Sequence, residues 1–325
     1  MRILLFGDGA WAANSLKRLV REGWTLLGVV VRARPTGPEL QAAAKDLQLP
    51  ILQPQSVNDP EFVVRVAGLR GDLNLSISYD QILRSPILET ARLGFVNFHA
   101  GKLPYYRGRN VINWAIINGE TEIGLTAHYM DEGIDTGDLI LQRSLPVTWT
   151  DTYGDILLNA VSAFPDLVAD TVNLISTGKA ERLPQAHVPG TYFGGRRHGD
   201  EWLDWRDSSR NLHNKIRGIT HPGPGARTLL GDQEVIIWRA FFDPGWPIYM
   251  ATHGEVVGCR PAEGVLVKTG DSTLLVQEVQ ACNGKARIPS WRIGTRLGTN
   301  IFAYLQQLQA RVETLERAEL KAEES

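Results

Sequence analysis

The chain opens with four apolar residues, Ile3-Leu4-Leu5-Phe6, then the turn Gly7-Asp8-Gly9, then Asn14, Leu16, Leu19 and Val20 at helical spacing. That reads as a buried strand turning into a helix. A second apolar run, Leu26–Val31, completes a β-α-β unit. The alternation continues with a helix near Pro38–Leu47, the short strand Ile51-Leu52, a helix near Glu61–Ala67 and the strand Leu73–Ser78. Further on come the strand Gly94–His99, a helix over Val111–Asn118, the strand Gly124–Tyr129, a loop over Asp131–Asp138, the strand Leu139–Leu145 and a helix over Asp155–Ser176. Strands alternating with helices predict an α/β fold with a Rossmann-like, mostly parallel sheet.

From about Gln185 the pattern changes. Turn residues thicken, and short strand-like runs appear at Gly225–Leu230, Glu234–Phe241, Gly254–Cys259, Gly264–Lys268 and Ser272–Val279, with one helix near Ser208–Gly218 before them. Short strands separated by turns predict a smaller β-rich domain, an OB-like barrel. The tail from Ile301 places Leu305, Leu308, Val312 and Leu315 at heptad-like spacing. Two heptads fall short of the three or four that define a coiled coil, so the tail is read as a helix folding back, with pairing to another copy as the alternative. Glu313, Glu316, Glu319, Glu323 and Glu324 predict a far end frayed into solvent. The expected division is 1–185, 186–296 and a helical tail over 297–325, and the expected assembly is a homodimer.

Composition narrows the class. The chain has 325 residues, 43% hydrophobic and 22% charged, which suits two globular domains. A formal net charge of -2 gives no general pull toward nucleic acid. Two cysteines, Cys259 and Cys282, make no disulfide framework, and none of the seven histidines has a partner at metal-ligand spacing, so no metal is expected. The apolar start is shorter than the roughly 7–15 residues of a signal-peptide core. Charged residues also interrupt every candidate for the roughly 20-residue apolar span that crosses a bilayer. A cytoplasmic setting without membrane contact is expected.

Gly7-Asp8-Gly9-Ala10-Trp11-Ala12 nearly matches the dinucleotide fingerprint. That fingerprint also needs an acidic residue at the end of the next strand, but Val29-Val30-Val31 runs into Arg32. A tight turn packing helix on sheet is the better account.

The informative stretch runs from Asn97-Phe98-His99 through Leu103-Pro104-Tyr105-Tyr106-Arg107-Gly108 to Asp131-Glu132-Gly133-Ile134-Asp135-Thr136-Gly137-Asp138. Side chains alternate along a strand, so positions 97 and 99 point to one side and converge on a single group. An amide and an imidazole placed that way suit an oxygen that turns negative during acyl transfer. These elements, in order and separation, resemble the folate-dependent formyltransferases, which share N-x-H, L-P-x-x-R-G and D-T-G-D.

The resemblance implies 10-formyltetrahydrofolate as co-substrate and Asn97, His99 and Asp135 as catalytic residues, with Asp135 orienting the histidine and assisting proton removal. It implies folate contacts at Ser78, Tyr79, Asp80, Gln81, Arg107, Gly108, Gly133, Ile134 and Asp138. Bare backbone at Gly133 and Gly137 is expected to let a flat ligand lie close.

For the acceptor, Gly101-Lys102-Leu103-Pro104 departs from the Ser-Leu-Leu-Pro usual in the methionyl-tRNA and glycinamide branches. The runs Tyr192–Asp200, Leu203-Asp204-Trp205 and Arg217–Ala226 resemble the C-terminal domain of amino-sugar formyltransferases. That implies a nucleoside-diphosphate amino sugar destined for a surface polysaccharide such as lipopolysaccharide O-antigen, with Lys102, Arg109, Tyr192, Arg196 and Arg197 as its contacts, since guanidinium groups suit a pyrophosphate. Two alternatives stand beside it. One is formylation of methionyl-tRNA, disfavoured here because Arg32–Glu39 is short and only slightly basic. The other is a non-catalytic folate or nucleotide binding module.

Overall fold

A computed structural model describes residues 1–185, 192–281, 284–298, 305 and 308–317. Cys282, Ile301, Glu319, Glu323 and Glu324 lie outside the described residues. The chain divides into two compact units, Met1–Arg197 and His198–Ser325.

In the first unit the elements alternate as the apolar pattern predicts. They are β1 (Arg2–Gly7), α1 (Gly9–Arg21), β2 (Thr25–Val31), α2 (Glu39–Asp46), β3 (Ile51–Leu52), α3 (Pro60–Gly68), β4 (Leu73–Ile77), α4 (Ser85–Leu88), β5 (Phe95–His99), β6 (Arg107–Gly108), α5 (Val111–Ile117), β7 (Glu122–Tyr129), β8 (Leu139–Pro146), α6 (Tyr153–Ser176) and β9 (Tyr192–Phe193). Seven strands form one sheet in the order β3-β2-β1-β4-β5-β7-β8. β1 to β5 pair in parallel, while β7 and β8 join antiparallel at one edge.

The unbroken apolar run of β1 is explained by burial on both faces. Ile3 and Leu5 pack into one cluster with Leu16, Val29, Leu75 and Phe164, and Leu4 and Phe6 into another with Val30, Phe62 and Phe95. Helix starts follow local chemistry. The Asp59 side chain accepts from the Glu61 amide at the head of α3, and Thr152 with Asp155 forms a capping box on α6.

The chain runs from β1 to β2 on one side and returns to β4 on the other, so the strand order reverses between β1 and β4. Open sheets of this kind leave a crevice beyond the carboxyl ends of the strands at such a reversal. A cleft of about 830 Å³ lies there, lined by residues from the ends of β2, β4 and β5 and from the loops that follow.

The second unit holds α7 (Ser209–Ile219), started by the Ser208 side chain accepting from the Asn211 amide. A five-stranded antiparallel sheet follows, from β10 (Ala226–Leu230), β11 (Gln233–Phe241), β12 (Val256–Arg260), β13 (Gly264–Lys268) and β14 (Thr273–Ala281), in the order β10-β11-β14-β13-β12. The mixed α/β unit, the separate β-rich unit and a helix over 308–317 bear out the fold class read from the sequence. Leu305, Leu308, Val312 and Leu315 are 41–59% exposed, so their stripe is not packed away as a helix folding back would require.

Candidate active site

The site grows from the pairing of β5 with β7. Asn97 and His99, two residues apart on β5, reach the same side of the sheet, and the antiparallel register sets His128 of β7 directly across from Asn97. The loop after β7 returns Asp135 to both strands. Its Oδ1 lies 3.3 Å from Asn97 Nδ2 and 3.5 Å from His128 Nε2, and its Oδ2 lies 3.6 Å from His99 Nδ1 and accepts the Gly108 amide at 2.9 Å. Asn97, His99, Asp135 and His128 all line the cleft.

Burial alone would raise the Asp135 carboxyl. The charge of His99, the hydrogen bond from His128 and the Gly108 amide outweigh it and hold the group well below the usual carboxylate range. Asp135 is thus a carboxylate at any ordinary pH, flanked by one imidazole on each oxygen.

Strained backbone gathers around these groups. Ser78, Tyr106, Asn110 and Asp135 all have positive φ, between 53° and 59°, a conformation non-glycine residues adopt where surrounding contacts enforce it. At Tyr106 those contacts are visible. Its ring stacks on Phe193 at 5.0 Å, and its hydroxyl donates to Glu120 at 2.6 Å. Its carbonyl thereby meets His99 Nε2 at 2.6 Å. Gly101 is required by the same turn, since a Cβ there would strike both that carbonyl and the His99 ring.

The glycines around Asp135 have an internal reason too. A side chain at Gly137 would overlap the Tyr129 carbonyl, and one at Gly133 would overlap the Thr136 side chain. Their bare backbone lets the loop close on itself beside the cleft that Gly133 lines.

Of the folate contacts expected from sequence, Ser78, Tyr79, Asp80, Gln81, Gly108, Gly133 and Ile134 line the cleft. Arg107 and Asp138 do not. Arg107 is 3% exposed, and its guanidinium donates to Gln185 Oε1 at 2.6 and 3.1 Å and to the Tyr192 hydroxyl at 3.2 Å. Gln185 in turn donates to the carbonyls of Asp135 and Gly137, so Arg107 braces the catalytic loop from behind. Asp138 lies 3.7 Å from Arg182.

Among the expected acceptor contacts, Arg109 and Tyr192 line the cleft. Lys102 is paired with Glu122 and faces a separate cavity of about 440 Å³. Arg196 has buried nitrogens without hydrogen-bond partners and is not in the cleft wall, and Arg197 has an interaction within the chain.

Arg32 explains why the first glycine turn is no dinucleotide site. Its guanidinium lies 3.2 Å from buried Asp8 and donates to the Ser78 carbonyl at 3.0 Å, occupying the end of β2 where a ribose-binding acid would stand. His128 escaped the sequence reading. Its one signal is a histidine near the C-terminal end of a mostly apolar strand, and its importance depends on a register that sequence does not display.

A parallel sheet with a cleft at its reversal point, and a carboxylate, amide and imidazole converging there, describe an acyl-transfer enzyme. Residues 1–163 match the family described as formyl transferase, and residues 197–292 match the formyl transferase C-terminal domain. The chain belongs to the formyl transferase family. A methionyl-tRNA formyltransferase of Desulforamulus reducens is 36% identical over 288 residues, covering 86% of this chain and 90% of its own. One of Pelotomaculum thermopropionicum is 37% identical over 295 residues, with coverage of 86% and 91%. The fold is shared with an N-formyltransferase of Helicobacter canadensis solved with folinic acid and dTDP-3-aminofucose, at a TM-score of 0.66 and 19% identity over 85% of this chain and 98% of that one.

These relatives correct the acceptor. The amino-sugar reading rested on the 101–108 loop and on segments after Tyr192, whereas similarity over most of the chain, at 30–37% identity, is to methionyl-tRNA formyltransferases. The structure removes a support as well, because Lys102, one of the cations expected to meet the pyrophosphate, is paired with Glu122. The charge argument against tRNA weighed the Arg32–Glu39 segment and the whole-chain balance, and neither measures the full surface that meets a substrate.

Proposed function

We propose that this enzyme transfers the formyl group of 10-formyltetrahydrofolate to the amino group of methionyl-tRNA. The observation that carries the acceptor is the extended similarity to relatives named for that reaction. The donor is supported by the family and by fold relatives solved with folinic acid or tetrahydrofolic acid. The cleft suits a flat, partly polar ring. Ile82, Leu83, Met130 and Ile134 give apolar walls, and the buried Tyr79 hydroxyl in the same wall has no hydrogen-bond partner of its own.

The neutral amine attacks the formyl carbon, forming a carbon–nitrogen bond while the carbonyl pair moves onto oxygen. Nε2 of His99, which meets the Tyr106 carbonyl in this structure, exchanges that contact for the new oxyanion and donates to it, while Nδ1 stays toward the Asp135 carboxylate. The intermediate collapses by breaking the bond to the folate nitrogen. The proton lost by the amine passes through the Asp135–His99 pair to that leaving nitrogen. Asn97 faces the reacting group from the adjacent position on β5.

The test is direct: mix enzyme, 10-formyltetrahydrofolate and charged initiator tRNA, and follow formyl-methionine. Formation of the product, with affinity for the tRNA falling steeply as salt is raised, is the expected result. Turnover on small amines with none on methionyl-tRNA would reject the acceptor.

A further inference from the structure

The second cavity, of about 440 Å³, has no part in the transfer step described above. Its floor is apolar: Val111, Ala115 and Ile123 are each no more than 6% exposed. Tyr106 and Phe193, stacked at 5.0 Å, give it an aromatic wall. Its charged groups are already partnered, Lys102 with Glu122 and Glu120 with the Tyr106 hydroxyl. They face solvent, so they form a rim and not a seat for an ion.

This cavity borders the reacting point. His99 Nε2 exchanges the Tyr106 carbonyl for the oxyanion, so that carbonyl marks where the oxyanion forms. Gly101 faces the same spot, since a Cβ there would strike both the carbonyl and the His99 ring. Gly101 and Tyr106 also line the cavity, and Phe193 is a wall of both the cavity and the cleft. The attacking amine therefore meets the formyl carbon at the inner end of the cavity, with the cleft left to the folate.

In an aminoacyl ester the attacking nitrogen and the side chain leave the same carbon, so an amine at that inner end directs its side chain into the cavity. We propose that the cavity takes the side chain of the esterified amino acid and selects an unbranched thioether. An apolar floor rewards a long side chain over a short one by the area it buries. Aromatic rings at the wall favour sulfur beside them, and a rim whose charges are spent offers a polar side chain nothing in return for its lost water. The inference deepens the function proposed above and rests on its aminoacyl acceptor.

The test is a competition on the full-length enzyme at saturating 10-formyltetrahydrofolate, between initiator tRNA charged with methionine and the same tRNA charged with alanine. The tRNA body is common to both, so its contacts cancel. The ratio of the two kcat/KM values in one mixture is also independent of how much enzyme is folded, which protects the result from a variant that folds poorly. Wild type is expected to favour the methionyl form by about thirtyfold or more. Val111→Phe, which fills the floor, is expected to narrow that ratio to about threefold, and Tyr105→Ala, which removes a half-exposed wall, to narrow it by about twofold. A wild-type ratio near one, or a ratio that neither variant moves, overturns this inference while leaving methionyl-tRNA as the acceptor. Absence of transfer to both tRNAs is a distinct result, which removes the proposed acceptor and this inference with it.

Discussion

The first unit holds two aspartates beside its cleft, one fully buried and one nearly so, and they are held in opposite ways. Asp8 is 2% exposed and accepts the Thr36 amide at 2.8 Å and the Thr36 hydroxyl at 2.5 Å, with Arg32 at 3.2 Å. Its partners sit on the loop after β2, so the cluster staples that loop to the first turn. Asp135 has two imidazoles and an amide at 3.3–3.6 Å and one firm contact, the Gly108 amide at 2.9 Å. Short contacts to a guanidinium and a backbone amide fix a shape. Longer contacts to groups that can shed or exchange hydrogens leave the carboxylate free to take part in chemistry, which is the difference between a staple and a reacting group.

The strongest way to break this contrast is Asp135→Asn. The amide keeps the size and can still accept from Gly108, but it cannot balance an imidazolium. Transfer is expected to fall by about 10³-fold, with a loss of about 2 kcal/mol in urea unfolding of the first unit, since the carboxylate is held low in the folded state. A large stability loss with modest loss of turnover would make Asp135 the staple.

Asp8→Asn is the mirror experiment. Losing a buried charged partner of Arg32 is expected to cost about 2 kcal/mol in the same unfolding measurement, with turnover reduced less than about tenfold.

Acid sharpens the comparison further. Because Asp135 is held below the usual carboxylate range when folded, its contribution to stability is fully present above the unfolded value of about 4 and fades as pH falls below it. Melting curves of wild type and Asp135→Asn should therefore converge at low pH. The smallest effect is expected from Thr36→Val, which removes one hydroxyl from Asp8 and should lower stability by about 1 kcal/mol with transfer unchanged.

How much of this was legible beforehand follows from the range of the interactions. The β1 run, the Asn97–His99 spacing and the turn at Gly7–Gly9 are set within a few residues, and each stands where the pattern placed it. His128 was invisible because its meaning comes from β5 and β7 pairing antiparallel with α5 between them. Arg107 misled for the same reason: the resemblance places it against the folate, and only the fold brings Gln185, 78 residues on, against it. The acceptor was misjudged from a few loop residues, where sequence is freest to vary without changing the chemistry of the sheet edge.

The two-residue pairing of β6 with β9 has a practical consequence. Arg107-Gly108 lies alongside Tyr192-Phe193, and Gly108 is the residue whose amide grips Asp135. Tyr192 to Gly195 also form part of the cleft wall. A fragment cut where the first family match ends, at residue 163, would keep every strand of the main sheet and still lack one side of its own workplace. The smallest piece worth assaying as a stand-alone catalyst extends past Gly195.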